Sequence, residues 1–155
     1  VTNKLIDSGA KININKKELR IRMKVRPKAV DMITAIYPGF PTDLQAQWMA
    51  LMTIAKGSST VTDTIYTDRF THIAELERLG AKIHLDNNVA HITGVNKLYG
   101  AQVMSTDIRA SASLVIAGLA SNAETEISRI YHIDRGYDKI EEKFNLIGGK
   151  IKRVS

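Results

Sequence analysis

The sequence predicts an α/β (α+β) fold whose helices lie inside and whose strands form sheets around them. Three observations carry that reading. A ten-residue string occurs three times at nearly constant spacing, two helical segments are almost free of charge, and the strand-like segments alternate between apolar and polar residues. Helices that are apolar nearly all round are buried on every side, whereas an alternating strand keeps one wet face. Together they invert the usual order of an α/β barrel.

The string Asn3-Lys-Leu-Ile-Asp-Ser-Gly-Ala-Lys-Ile12 returns as Ala74-Glu-Leu-Glu-Arg-Leu-Gly-Ala-Lys-Ile83 and as Glu142-Lys-Phe-Asn-Leu-Ile-Gly-Gly-Lys-Ile151. Each copy reads as a helix stopped by a left-handed glycine (Gly9, Gly80, Gly148) and followed by a short strand. A second element keeps the same phase: Thr42-Asp43-Leu44 and Thr106-Asp107-Ile108 each open a helix. A strand-like run follows each (Thr60 to Tyr66; Glu124 to Ile130), and then a loop arginine, Arg69 or Arg135. A period longer than one supersecondary unit implies assembly from like modules, here helix, strand, helix, strand, strand. Residues 1–40 form the tail of one unit, 41–100 a second unit and 101–155 a third, within one incomplete domain spanning 1–155.

Leu44 to Ala55 carries no charge, and Arg109 is the only charge from Ile108 to Ala120. Thr71 to Leu79 and Tyr137 to Ile147 are amphipathic by contrast, with Glu75, Glu77 and Arg78 or Asp138, Lys139, Glu141 and Glu142 toward water. Lys11 to Asn15 and Lys82 to Asp86 read as half-exposed strands.

The absence of cysteine among 155 residues excludes disulfides, thiolate nucleophiles and cysteine-bound zinc. The longest uncharged apolar stretch, Leu114 to Ala120, falls far short of the roughly 20 residues that span a bilayer. No secretory signal opens the chain, so a cytoplasmic location is expected. Of the net charge of +6, residues 1–28 contribute +7, from nine Lys/Arg and two acids. There Arg20, Arg22, Lys24, Arg26 and Lys28 alternate with Leu19, Ile21, Met23 and Val25. That pattern reads as a strand with a basic face, either a phosphate-attracting stripe or a solvated face that discourages edge pairing.

In Thr42-Asp43-Leu44-Gln45, Thr42 can cap the helix with Gln45 completing a capping box. Asp43 then either complements the positive helix end or serves as a carboxylate base aimed into a cleft. Arg109 on so apolar a helix needs a partner, which is Asp107 or an anionic ligand. Arg69 and Arg135 sit in matching loops and suit bidentate binding of carboxylate or phosphate. No phosphate-binding glycine loop, dinucleotide fingerprint, nucleophile elbow or metal-ligand spacing of the four histidines is present, so neither a metal nor a cofactor is expected.

Phe40-Pro-Thr-Asp-Leu-Gln-Ala-Gln47, Asp68-Arg-Phe70, Gly100-Ala-Gln-Val-Met-Ser-Thr-Asp-Ile-Arg-Ala-Ser-Ala-Ser-Leu114 and Ile130-Tyr-His-Ile-Asp-Arg-Gly-Tyr137 closely resemble the UDP-N-acetylglucosamine 1-carboxyvinyltransferases, enolpyruvyl transferases of peptidoglycan precursor synthesis. The resemblance runs in order along the whole chain. It implies an inside-out α/β barrel of βαβαββ units, with two units and part of a third here, in the C-terminal part of the enzyme. It implies transfer of the enolpyruvyl group of phosphoenolpyruvate to the 3′-hydroxyl of UDP-N-acetylglucosamine. By the same resemblance Asp43 is the general base on the sugar hydroxyl, Ile65 a backbone contact to the sugar, and Asp107 a carboxylate at the reacting centre. Arg135 binds the phosphoenolpyruvate phosphate, and Arg69 and Arg109 lie near its carboxylate.

A mobile loop with the proton donor and a further lysine and arginine would come from an N-terminal domain, so this chain alone is expected to be inactive. The expected partners are therefore the two small substrates and that N-terminal domain, with no nucleic acid and no membrane. Two other readings remain at this point: a 3-phosphoshikimate 1-carboxyvinyltransferase-like enzyme, and a non-catalytic module that binds polyanions through residues 19–28.

Overall fold

The three recurrent glycines all adopt the left-handed conformation, with φ of +108° at Gly9, +90° at Gly80 and +96° at Gly148. A computed structural model of the chain describes residues 1–154. In chain order its elements are α1 (Thr2–Asp7), β1 (Lys11–Ile14), β2 (Leu19–Arg22), β3 (Met32–Ile33), a 3₁₀ turn (Thr42–Leu44), α2 (Gln45–Thr53), β4 (Ser58–Thr62), α3 (Ile73–Arg78), β5 (Lys82–Asp86), β6 (Val89–Thr93), β7 (Gln102–Met104), α4 (Ile108–Ala120), β8 (Glu126–Ser128), α5 (Tyr131–Asp134) and α6 (Ile140–Leu146).

Each glycine ends its helix in the same pair of hydrogen bonds. The Gly9 N–H donates to the Ile6 carbonyl and the Ala10 N–H to that of Leu5. Gly80 and Ala81 repeat the pattern on Glu77 and Leu76, and Gly148 and Gly149 on Asn145 and Phe144. This is the Schellman arrangement, which needs a positive-φ residue at its turning point. The strand expected after Gly148 does not form, and residues 150–154 run without regular structure.

β3 and β4 pair in parallel, and β4, β6 and β5 continue the sheet antiparallel in the order β3-β4-β6-β5. With α2 between β3 and β4, and α3 between β4 and β5, residues 32–93 make one βαβαββ unit. β3 therefore lies in the same sheet as β4, although the sequence division at residue 40 leaves it with the preceding tail. That tail supplies the antiparallel pair β1–β2, and the last segment supplies the parallel pair β7–β8 around α4. These sheets of two, four and two strands do not close into a barrel among the described residues.

α2 and α4 pack against each other at the centre. Trp48, Met49 and Met52 of α2 enter one core with Met32, Val61, Phe70 and Ile92, while Ala50 enters a second with Leu76, Leu98, Val103 and Leu114. A helix buried on two sides has no face left for a charge, which explains its composition. The two serines of α4 are buried and bond within the helix: Ser111 Oγ donates to the Asp107 carbonyl at 2.7 Å and Ser113 Oγ to that of Ala110 at 2.8 Å.

Other elements differ from the sequence reading. The strand expected to reach Tyr66 ends at Thr62, because the next residue turns the chain, and the one expected to reach Ile130 ends at Ser128, before a left-handed Arg129. Tyr137 to Ile147 is not one helix; it starts at Ile140 after a left-handed Lys139, and α5 forms upstream where a loop was expected.

The basic strand stops at Arg22 and is exposed on both faces. Arg26 is not part of a stripe. Its guanidinium donates to the Ile54, Ala55 and Val95 carbonyls and to Asn96 Oδ1, at 2.6–2.9 Å, and so caps the end of α2. Among the described residues no helix is long and apolar enough to cross a membrane, and no three His, Cys, Asp or Glu side chains group as metal ligands.

Candidate functional site

A side chain that the sequence reading passed over organises the first part of the site. Asp63, just beyond β4, is fully buried and accepts four hydrogen bonds. Oδ1 receives the Thr34 hydroxyl at 2.8 Å and the N–H groups of Ile65 and Tyr66, each at 2.9 Å. Oδ2 receives the Thr42 hydroxyl at 2.7 Å. Burial works to raise its pKa, but the bonds from Thr42, Tyr66, Thr34 and Ile65 outweigh it and hold the carboxyl below the usual range. An aspartate followed by free amides two and three residues on is a turn pattern. That was the one local signal available.

The bond from Thr42 also overturns the expected capping box. Thr42 caps nothing: Pro41 precedes a 3₁₀ turn, and no side chain caps either that turn or α2. Gln45 is buried instead, with its Nε2 unpartnered among the described residues. Asp43 stands exposed in the 3₁₀ turn, one residue from the anchored Thr42. Ile65 is 37% exposed, and its backbone is fixed by the same carboxylate.

Arg69 follows in the same loop. Its guanidinium lies over the Tyr66 ring, 3.2 Å from the centroid, in a cation–π stack. The loop then reaches the start of α4, where the Thr71 and Thr106 hydroxyls are 3.1 Å apart. Next to Thr106, Asp107 caps α4, its Oδ1 accepting the Arg109 N–H at 2.8 Å and the Ala110 N–H at 3.0 Å. The Arg109 Nε lies 3.4 Å from the same oxygen. Burial tends to raise the Asp107 pKa; the two amides, Arg109 and His72 outweigh it and lower it.

His72 sits beneath this junction, 3% exposed, with Nε2 3.2 Å from the Met49 sulfur and its ring stacked on Phe70. Burial, opposed by the Asp107 charge and aided by that of Arg109, brings its pKa down to about 4. Arg135 is exposed at the end of α5. The next residue, Gly136, abuts the Ile108 side chain in the first turn of α4. A continuous series of contacts thus joins the segments of Asp43, Ile65, Arg69, Asp107, Arg109 and Arg135. It displays two carboxylates and three guanidinium groups, a set suited to binding an anion beside a hydroxyl that must lose a proton.

A sizeable concavity lies elsewhere. A groove of about 1460 Å³ between α4, β8, α6 and the C-terminal segment includes none of these six residues; its lining mixes Val115, Ile127 and Phe144 with Glu126, Glu141 and Arg153.

The model of one protein family, described as EPSP synthase (3-phosphoshikimate 1-carboxyvinyltransferase), matches residues 1–144. Among solved structures the chain is similar to the enolpyruvyl transferase NikO from Streptomyces tendae, with 25% identity and a TM-score of 0.89 over 99% of this chain and 36% of that one. It shares the fold of EPSP synthase from Acinetobacter baumannii, with 19% identity and a TM-score of 0.72 over 99% of this chain and 37% of the other. The chain spans about a third of the length of these structures.

Proposed function

Since the chain belongs to the EPSP synthase (3-phosphoshikimate 1-carboxyvinyltransferase) family, we propose that it is part of an enzyme that transfers the enolpyruvyl group of phosphoenolpyruvate to the 3′-hydroxyl of UDP-N-acetylglucosamine. Phosphate is the second product. The observation that carries the proposal is that Thr42, next to Asp43, and the Ile65 N–H both bond the Asp63 carboxylate, beside a run of arginines that continues to Arg135. A base next to a sugar-contacting backbone, flanked by cations, is the arrangement this addition–elimination requires.

In the proposed reaction the 3′-oxygen adds to C2 of phosphoenolpyruvate while Asp43 takes the hydroxyl proton. C3 receives a proton from a donor elsewhere in the protein, giving a tetrahedral phosphate ester. Loss of phosphate from C2 with removal of a proton from C3 restores the double bond. Arg135 holds the phosphate, Arg69 and Arg109 the carboxylate, and their fixed charges stabilise the anionic groups through both steps. Asp107 stands at the reacting centre and keeps Arg109 in place. No cofactor takes part. We place the reaction in the cytoplasm, at the first committed step of peptidoglycan precursor synthesis. This chain would form one incomplete domain, inactive without an N-terminal domain.

The family description favours a second acceptor, shikimate 3-phosphate. Assaying the full-length protein for phosphate release with each acceptor separates the two. In the first reading UDP-N-acetylglucosamine supports turnover, shikimate 3-phosphate does not, and Asp43→Ala lowers kcat by about 10²-fold or more. Near-native turnover of that variant would remove Asp43 from the mechanism.

A further inference from the structure

We infer that Asp63 is a positioning residue, which sets Asp43 and the Ile65 backbone in register with each other against the acceptor hydroxyl. The inference rests on the proposed function. Three chain segments meet at this one carboxylate: Thr34 at the end of β3, Thr42 in the 3₁₀ turn, and the turn at Ile65 and Tyr66. Two further bonds lock the first and third segments, from Thr64 N–H to Thr34 Oγ1 at 3.0 Å and from Thr64 Oγ1 to the Thr34 carbonyl at 2.7 Å. Asn88 fixes the backbone of Asp63 itself, donating to its carbonyl from Nδ2 and accepting its N–H, each at 3.0 Å.

The Thr42 bond ties this rigid knot directly to the turn that carries Asp43, and the Ala35 N–H bond to the Phe40 carbonyl at 2.9 Å holds the chain just before that turn. That turn has no side-chain cap of its own. No hydrogen bond joins Asp43 to the 63–66 turn among the described residues; the distance between them is set through Thr42 and Asp63. A reacting group displaced by about 1 Å costs on the order of 10²-fold in rate, so a single hydrogen bond here has catalytic leverage without touching substrate.

The geometry also defines which substitutions keep the link. Three of the four donors use Oδ1, so an asparagine can accept them with its oxygen while its amide donates to Thr42 Oγ1. A valine at position 42 has the shape of threonine but no hydroxyl, and leaves the three Oδ1 bonds intact.

The test is steady-state kinetics of the full-length protein with Thr42→Val, Thr42→Ser and Asp63→Asn, varying acceptor and phosphoenolpyruvate separately. The expected result is a loss of about tenfold or more in kcat/KM for the acceptor in Thr42→Val, with KM for phosphoenolpyruvate within about twofold. Thr42→Ser and Asp63→Asn recover most of that loss. Acceptor constants within about twofold of wild type in Thr42→Val, or an equal loss toward both substrates with no recovery in Thr42→Ser, would overturn the inference alone. A wild-type enzyme that turns over neither UDP-N-acetylglucosamine nor shikimate 3-phosphate would overturn the proposed function and this inference with it.

Discussion

The Ile108 side chain occupies the space in which a β-carbon on Gly136 would stand. A side chain at 136 must push the Ile108 δ-methyl aside, because the turn after Arg135 rests on the first turn of α4. If Arg135 has the role proposed for it, Gly136→Ala shifts it slightly and raises KM for phosphoenolpyruvate about twofold in the full-length protein. Because only the rotatable Ile108 δ-methyl is in the way, the stability cost is at the low end of the overpacking range, about 1 kcal/mol. Gly136→Ala combined with Ile108→Val relieves the overlap, and kinetics of the double variant should recover toward wild type.

Asp107 does two jobs that substitution can separate. As the cap of α4 it accepts two backbone N–H groups on Oδ1, which an asparagine oxygen can also do. Asp107→Ala should cost about 1 kcal/mol, measured by urea unfolding of this chain. Asp107→Asn should keep most of that stability while lowering turnover of the full-length enzyme. Equal stability losses in the two variants would count against the capping account.

Arg26 joins the β1–β2 segment to the end of α2 and to the loop at Asn96 through bonds to three carbonyls and one side-chain amide. Arg26→Met keeps the stem and removes the donors. We expect a loss of about 2 kcal/mol and a lower Tm by calorimetry, whereas Arg22→Met, on the exposed strand, should change little.

Stability should fall in mild acid because of His72. Its folded pKa, about 4, is depressed from 6.5, so the unfolded chain binds a proton that the folded chain refuses. The stabilisation is complete above about pH 6.5 and is lost as pH falls toward 4. Between pH 7 and pH 5 this group alone removes about 2 kcal/mol. In His72→Phe that part of the decline should vanish, as read by chemical denaturation at both pH values.

The glycine stops of α1, α3 and α6, the burial of α2 and that of the first half of α4 were legible in the sequence because each follows from a local property. A left-handed residue must end the helix before Gly9, Gly80 and Gly148, and a charge-free segment must be enclosed. Local pattern failed where a distant group competes for the same atoms. Thr42 looks like a cap, but the buried Asp63 carboxylate takes its hydroxyl. Arg26 looks like part of a basic stripe, but uncapped carbonyls from residues 54, 55 and 95 claim its guanidinium.

The chain's order of residues by itself determined the repeat and the central helices and singled out Asp43, Arg69, Asp107, Arg109 and Arg135 as candidate groups, to which the family resemblance added Ile65. Only the tertiary structure decided how those groups are held: Arg109 by Asp107, Arg69 by Tyr66, and the Asp43 and Ile65 turns by Asp63. The physical reason is that helix stops and burial are written in neighbouring residues. A hydrogen bond between residues 42 and 63 depends instead on where folding brings two separated segments, and a buried carboxylate takes whichever donors arrive there.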